Sequence, residues 1–490
     1  MSSHTLEGKK KTQNGVKRLA FTVLSILLEV VFLIGIFKGL NEYAVFIDNL
    51  TRIFAVILVL KIYGRNETSS MKTPWIILIL TFPILGVALY FMIGMNGGTR
   101  KMRMRYKRID EKLLPLLPEN KEVLERLNVS DPKAGNVSNY IERNACYPVY
   151  QNTDVTYFDE AVKGLEAQLA DLAKAGKFIF MEYFIIGEGY VWDTVLEVLR
   201  KKVKEGVEVR LMYDGTCSIS LLPYEYPKQL REYGIQCKEF GPIVPILSTS
   251  QNNRDHRKIC VIDGKVAFTG GVNLADEYIN KKVRFGHWKD TAIKIEGDAV
   301  QSFTMMFLQM WNITERQPED YAKYLTEKQP GFSRKDGYII PYGDSPFDHE
   351  NVGEEVYFHI LNHAKKYVHI MTPYLILDNE MIDALTRAAK GGIEVQIIMP
   401  HIPDKPYAFY LAKTYYEELI AGGVEIYEYT PGFVHAKVFT SDDDTATVGS
   451  INLDYRSLYL HFECGVFIYR NPVVRDIERT SRIHWQNVRR

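Results

Sequence analysis

Cysteine is scarce and unpaired in this chain. Cys146, Cys217, Cys237, Cys260 and Cys464 are odd in number, scattered, and form no CxxC pair. That argues against a disulfide framework and a zinc site, and it fits a reducing compartment. Net charge is missing as well: Lys plus Arg equals Asp plus Glu at 60 each, so the chain offers nucleic acid no bulk basic field. Large disordered tracts are not called for, because 24% charged and 46% hydrophobic residues are ordinary globular proportions. At 490 residues there is chain enough for two or three domains. No small-residue cleavage site follows the first apolar run, which speaks against a removable signal peptide.

Apolar runs are present, at the N-terminal end. Residues 19–37 are nearly all apolar over about the length that spans a bilayer, interrupted by Glu29. An acidic residue at mid-membrane costs on the order of 2.5–3.5 kcal/mol. Residues 75–95 form a second run with Trp75, Tyr90 and Phe91 near its ends, where aromatics favour the interface. Residues 44–62 are a third, carrying Asp48, Asn49 and Arg52. Three runs suggest three helices, but basic residues lie on both sides of the set. Lys9, Lys10, Lys11, Lys17 and Arg18 precede it, and Arg100, Lys101, Arg103, Arg105, Lys107 and Arg108 follow it. The preference for positive charge on the inner side therefore favours two crossings, with the rest of the chain cytoplasmic. The second cluster alternates with Met102, Met104 and Tyr106 and is suited to anionic headgroups, at about 1 kcal/mol per charge. Residues 1–98 thus read as a membrane anchor, and 99–145 as a basic juxtamembrane segment and helical connector.

Beyond this the chain repeats itself. Strand patterns alternate with helical ones, the sign of βαβ units and a largely parallel sheet. Residues 178–186 read as a strand, 191–205 as a helix, 206–211 as the opening of the next strand and 221–233 as a helix. The same plan returns as 367–375, 380–390, 392–397 and 406–421, with Gly206-Val207-Glu208-Val209 echoed by Gly392-Ile393-Glu394-Val395. The predicted architecture is α/β: two similar halves, 146–330 and 331–490, related by a pseudo-two-fold axis and preceded by transmembrane helices.

Each half carries one copy of a motif. His256, Lys258, Asp263 and Asn273 recur as His435, Lys437, Asp442 and Asn452 with identical spacing. Residues two apart on a strand share a face, so His and Lys point the same way. Asp263-Gly264 is a turn signal that folds the strand back and brings the Gly/Asn segment alongside. Displacement at a phosphodiester needs an attacking group, an acid for the departing oxygen and cations on the other oxygens. Two His and two Lys meeting at one interface supply all of these without metal or cofactor. Each His also needs a carboxylate to fix its tautomer, and the candidates are Asp290 in the first half and Glu463 in the second. His287, His363, His369 and His461 lack such company and read as structural.

The two HxKxxxxD copies, each followed by its Gly/Ser and Asn, resemble the phospholipase D superfamily. The order of parts resembles the bacterial cardiolipin synthases more narrowly. Pro83-Ile84-Leu85-Gly86, Gly270-Gly271-Val272-Asn273-Leu274-Ala275-Asp276-Glu277-Tyr278 and His287-Trp288-Lys289-Asp290-Thr291 carry that likeness. The acidic run Asp442-Asp443-Asp444 departs from it slightly. The resemblance implies transphosphatidylation. One phosphatidylglycerol yields glycerol and leaves its phosphatidyl group on a histidine, and a second phosphatidylglycerol takes it up as cardiolipin. It also implies His256 as nucleophile, His435 as acid and base, and Lys258, Lys437, Asn273 and Asn452 around the phosphoryl oxygens. The location implied is the bacterial plasma membrane, crossed more than once, with anionic lipid as partner and no nucleic acid. A hydrolase, a phosphatidyltransferase for another alcohol, and a non-catalytic lipid-binding scaffold remain as alternatives.

Overall fold

A computed structural model describes residues 44–65, 69–94, 97–223, 225–243, 249–315, 319–326, 337–348, 350–484 and 488–489, together with seven isolated positions between 24 and 35. The expected first helix at 19–37 lies outside the described residues apart from those positions. The chain divides into two compact units, Met1–Met102 with Ile243–Asn252, and Arg103–Pro242 with Asn253–Arg490.

In the first unit, helices Ala44–Tyr63, Ser69–Thr81 and Pro83–Leu89 and a π-turn at Tyr90–Gly94 pack around Ala55, Leu58, Ile62, Ile79 and Tyr90. Gly86 permits the close approach, since a Cβ there would sit 2.6 Å from the Ile79 Cα. Leu50, Ile53, Ile57, Leu60, Ile77 and Leu80 stay exposed. Among the described residues no helix is long and apolar enough to cross a membrane. The stretch 44–62 does form one helix, but it carries Asp48, Arg52 and Lys61. The stretch 75–95 does not form one span. Phe82 precedes a proline, which disfavours helical geometry, and takes φ −128°, ψ 75°.

The second unit holds two sheets. The first contains β1 (Thr153–Phe158), β2 (Phe178–Tyr183), β3 (Glu208–Asp214), β4 (Gln236–Phe240), β5 (Lys258–Ile262), β6 (Val266–Gly270) and β8 (Ala292–Gly297); the short β7 (His287–Lys289) stands apart. The second is built from β9 (Tyr338–Asp344), β10 (Tyr367–Met371), β12 (Glu394–Pro400), β13 (Glu425–Tyr429), β15 (Val438–Ser441), β16 (Thr445–Gly449), β18 (Glu463–Tyr469) and β19 (Val488–Arg489), with β11 (Leu375–Ile376), β14 (Gly432–Val434) and β17 (Leu453–Asp454) outside it. The first sheet runs β1-β8-β6-β5-β2-β3-β4 and the second β9-β18-β16-β15-β10-β12-β13-β19. The order is the same, with one strand added. The sheets are mixed rather than largely parallel: β2, β3 and β4 are parallel, as are β10, β12 and β13, while the motif hairpins and outer strands pair antiparallel.

Local chemistry accounts for the repeat. Gly206 and Gly392 end a helix with φ 88° and 92°, a left-handed step that glycine takes without strain before the next strand. Between β5 and β6, Asp263 and Gly264 turn the chain at φ 54° and 65°. The helix Val300–Asn312 is buried along its whole length, touching β2 and β5 of one sheet and β9 of the other. Its counterpart Val473–His484 touches β10 and β15, and also β1. Each closing helix thus binds its own sheet to the other.

Candidate active site

The motif histidines precede β5 and β15, where the chain leaves its own sheet and runs beside the other half. His256 N–H donates to Phe462 O (3.0 Å), with Asp255 bridging Phe462 in parallel. Reciprocally, His435 N–H donates to Lys289 O (2.7 Å), and β14 pairs β7 in parallel. The residue after Phe462 is Glu463, and the one after Lys289 is Asp290. This seam therefore hands each histidine the carboxylate of the opposite half. His256 Nδ1–H donates to both Glu463 oxygens at 2.9 and 3.0 Å, and His435 Nδ1–H to Asp290 Oδ2 at 2.7 Å. Neither half owns a complete site.

Both imidazoles, both lysines and both carboxylates are buried. Burial depresses the His256 and His435 pKa values, His435 to about 4 despite Asp290 beside it. Burial also lowers Lys258 to about 8 and Lys437 to about 7. On Asp290 and Glu463 burial pushes upward, but the facing histidine and lysine outweigh it and hold both carboxyls below their ordinary range. Lys437 Nζ lies 2.9 Å from His435 Nδ1, and each lysine Nζ also donates to the backbone carbonyl of its own histidine. Charge on Lys258 is felt by both His435 and Lys437 across the seam. Burial thus favours two neutral imidazoles, each with one ring nitrogen committed to a carboxylate.

Other expected residues are placed differently. Asp263 does not reach the site. It lies seven residues along the strand, roughly 20 Å away, where its carboxylate accepts N–H bonds from Gly176, Lys177 and Phe178. Asp442 does the same for Lys365, Lys366 and Tyr367. Both clamp the turn to the start of the neighbouring strand. The Asn273 side chain ties Ile185 N–H (2.9 Å) to the Tyr278 hydroxyl (2.7 Å). Asn452 is buried, its Oδ1 has no hydrogen-bond partner among the described residues, and its backbone N–H donates to Ser457 Oγ.

Several residues near the histidines carry no spacing signal. Ser450 and Ser457 each donate to Glu463 at 2.5 Å. Tyr278 and Trp288 pack on His435, with ring centroids 5.3 and 5.4 Å away, while Phe184 and His461 pack on His256 at 4.8 and 5.5 Å. Arg257, between His256 and Lys258, points away from the chemistry and meets Glu182 (2.7 Å), Asp255 (3.7 Å) and Met306 O. Ser450 shows in the sequence as a Gly-Ser where the first copy has Gly-Gly, Tyr278 and Trp288 lie in the stretches that carry the family likeness, and His461 reads there as structural.

Comparison with known proteins fits this geometry. Residues 169–311 and 357–485 match the family described as cardiolipin synthase, PLD-like domain, and residues 53–94 match the phospholipase D-nuclease N-terminal family. The chain belongs to the phospholipase D-like cardiolipin synthase family. It is 31% identical over 450 residues to a cardiolipin synthase of Halalkalibacterium halodurans, covering 90% of this chain and 89% of that one. Cardiolipin synthase 2 of Bacillus anthracis is 33% identical over 432 residues, covering 86% and 84%. A Streptococcus mutans protein of uncharacterised function is 52% identical over 415 residues, covering 85% and 89%. Among solved structures, phosphatidylserine synthase of Haemophilus influenzae superposes with a TM-score of 0.53 at 13% identity, over 73% of this chain and 91% of that one, a likeness of fold. As a member of this family the chain is an enzyme, a transphosphatidylase of the phospholipase D type.

Proposed function

We propose that the protein makes cardiolipin and glycerol from two molecules of phosphatidylglycerol through a phosphohistidine. The reading rests on one observation, the exchange of carboxylates that unites both histidine–lysine pairs at a single seam. His256 Nε2 attacks phosphorus and forms a P–N bond as the bond to the glycerol oxygen breaks. His435 Nε2–H gives its proton to that oxygen. In the second step the hydroxyl of another phosphatidylglycerol returns a proton to His435 while its oxygen takes the phosphatidyl group and the P–N bond breaks. Lys258 and Lys437 face the phosphoryl oxygens, and a phosphodiester anion entering this dry site favours the protonated lysines and His435. The turn aspartates Asp263 and Asp442 hold the strands that present these groups.

Lipid supply fits the surface of the second unit. Tyr407, Tyr410 and Leu411 project from the helix Pro406–Ala421 with 73, 70 and 43% exposure, and Ile402 precedes them. Beside Ile402, which sits 3.0 Å from where a Cβ on Gly286 would be, runs a loop with Val283 78% exposed among Lys281, Lys282 and Arg284. Aromatic and basic residues together suit an anionic interface. The first unit is read as the plasma-membrane anchor through its exposed Leu50, Ile53, Ile57 and Leu60, with the catalytic unit cytoplasmic. The boundaries 1–98, 99–145, 146–330 and 331–490 divide anchor, connector and two half-sites.

The test is purified full-length protein given phosphatidylglycerol alone. Cardiolipin and glycerol in equal amounts are expected, with loss of about 10²–10⁴-fold in His435→Ala and no product from His256→Ala. Phosphatidic acid without cardiolipin would make the protein a hydrolase, and no turnover by wild type would leave a scaffold.

A further inference from the structure

Positions 288 and 461 are equivalent in the repeat, each one residue before the carbonyl that binds a site histidine backbone. Trp288 stands beside His435 and His461 stands beside His256, at almost the same ring separation, 5.4 and 5.5 Å. The indole offers no ligand atom, whereas the imidazole does. Among the described residues, His461 Nδ1 is shut off from solvent and makes no hydrogen bond. It lies 3.7 Å from Glu463 Oε1, and His256 Nδ1 lies 2.9 Å from that same oxygen. One donor atom from each of the three residues falls within 4.8 Å of the others. A tetrahedral ion with bonds of about 2.0–2.2 Å sets its donors about 3.3–3.6 Å apart, and the separations of 2.9 and 3.7 Å lie on either side of that range.

We propose that His256, His461 and Glu463 bind a divalent ion of the zinc class, and that the ion holds the enzyme silent. Two imidazoles and one carboxylate select zinc over magnesium or calcium, which prefer oxygen alone, and leave a fourth position open to water. The silencing is a tautomer effect and rests on reading His256 as the nucleophile; the binding does not. When the ion takes the Nδ1 lone pair of His256, the ring stays neutral only if its one proton moves to Nε2. A protonated Nε2 has no lone pair for phosphorus. No covalent bond to the protein changes, so a chelator restores activity. The second half holds Trp288 in the equivalent place, so the stoichiometry is one ion per chain.

Metal-free, detergent-solubilised full-length protein is titrated with Co²⁺ as a visible reporter of tetrahedral nitrogen and oxygen ligation. In parallel, cardiolipin formation is followed with added Zn²⁺. One equivalent of Co²⁺ is expected to develop an intense visible band, and Zn²⁺ to suppress turnover until chelator is added. His461→Asn should lose the band and, measured against its own metal-free turnover, resist Zn²⁺ at concentrations at least about tenfold higher. His461→Cys should bind the ion again, with an added thiolate charge-transfer band. No band in wild type, or a band and a Zn²⁺ response unchanged in His461→Asn, overturns the site. A band lost in His461→Asn while Zn²⁺ leaves wild-type turnover untouched overturns the silencing. Absent metal-free turnover faults the catalytic reading instead, and the Co²⁺ titration still decides the site.

Discussion

Gly271 and Ser450 occupy the same place in the two halves, and each meets its neighbouring carboxylate in its own way. A side chain at 271 would run into the Asp290 carboxylate, whereas Ser450 puts a hydroxyl on Glu463. The same divergence recurs nearby. Tyr278 packs on His435 where the second half has Ser457 donating to Glu463, and Trp288 stands where the second half has His461. Around His256, Phe184 packs on the ring and two serines fix the carboxylate by hydrogen bonds; around His435 two aromatic rings fix the imidazole by contact. Duplicated halves that remained identical would give two equal histidines. Under the proposed mechanism, these differences suit one ring to holding a covalent group and the other to moving a proton.

The largest break in the symmetry lies just behind the motif. Arg257 is fully buried with Glu182 and Asp255, and its counterpart is Ala436, buried without charge. Arg257→Met leaves two acidic groups in the interior without their cation, which costs about 3–5 kcal/mol. Denaturant unfolding of the solubilised protein should show that loss. A change below about 1 kcal/mol would mean that the first half, like the second, does not need the cluster.

The two carboxylate supports differ less, and exchanging them sharpens the contrast. Ser450→Ala removes a hydroxyl donor to a buried charge, worth about 1.5–3 kcal/mol, and should slow formation of the covalent intermediate on His256. Gly271→Ala pushes Asp290 away from His435 and should slow proton delivery to glycerol instead. Rapid-quench separation of the two steps distinguishes them, and identical effects on one step would erase the division of labour.

Much of this was legible beforehand because it is local. The histidine–lysine pairs, the turn, the helix-ending glycines and the duplicated strand order follow from spacing and from residues that favour one backbone state. The exchange of Asp290 and Glu463 is not local. It arises when residues 253–255 and 432–434 leave their own sheets to pair with the opposite half. Recurrence misled at Asp263 and Asp442, since a turn that must be built twice repeats as faithfully as a catalytic group; the strand between His and Asp already set them apart. Hydropathy found the apolar stretches near residues 44–62 and 75–95, but Pro83 divides the latter. His461, Ser457 and Trp288 join the histidines only through packing, so spacing was silent about them.

The finest probe of the comparison is pH. The folded His435 titrates at about 4 because it is buried, against about 6.5 when unfolded. Above about 6.5 the ring is neutral in both states and adds no pH dependence. As pH falls from there, the unfolded chain takes up a proton that the folded chain refuses. Wild type therefore loses stability, by at most about 1.4 kcal/mol per pH unit, until the folded ring titrates as well. His435→Gln lacks that proton, so its stability relative to wild type should rise between pH 6.5 and 4 and stay flat between 7 and 8. His256→Gln should change in the same direction, because burial holds His256 well below the ordinary histidine range even with Glu463 beside it. Unfolding midpoints of both variants across that range test it. A gap that rises for His435→Gln but stays flat for His256→Gln would mean that Glu463 offsets burial where Asp290 does not, and the two halves would then differ in charge as well as in contact.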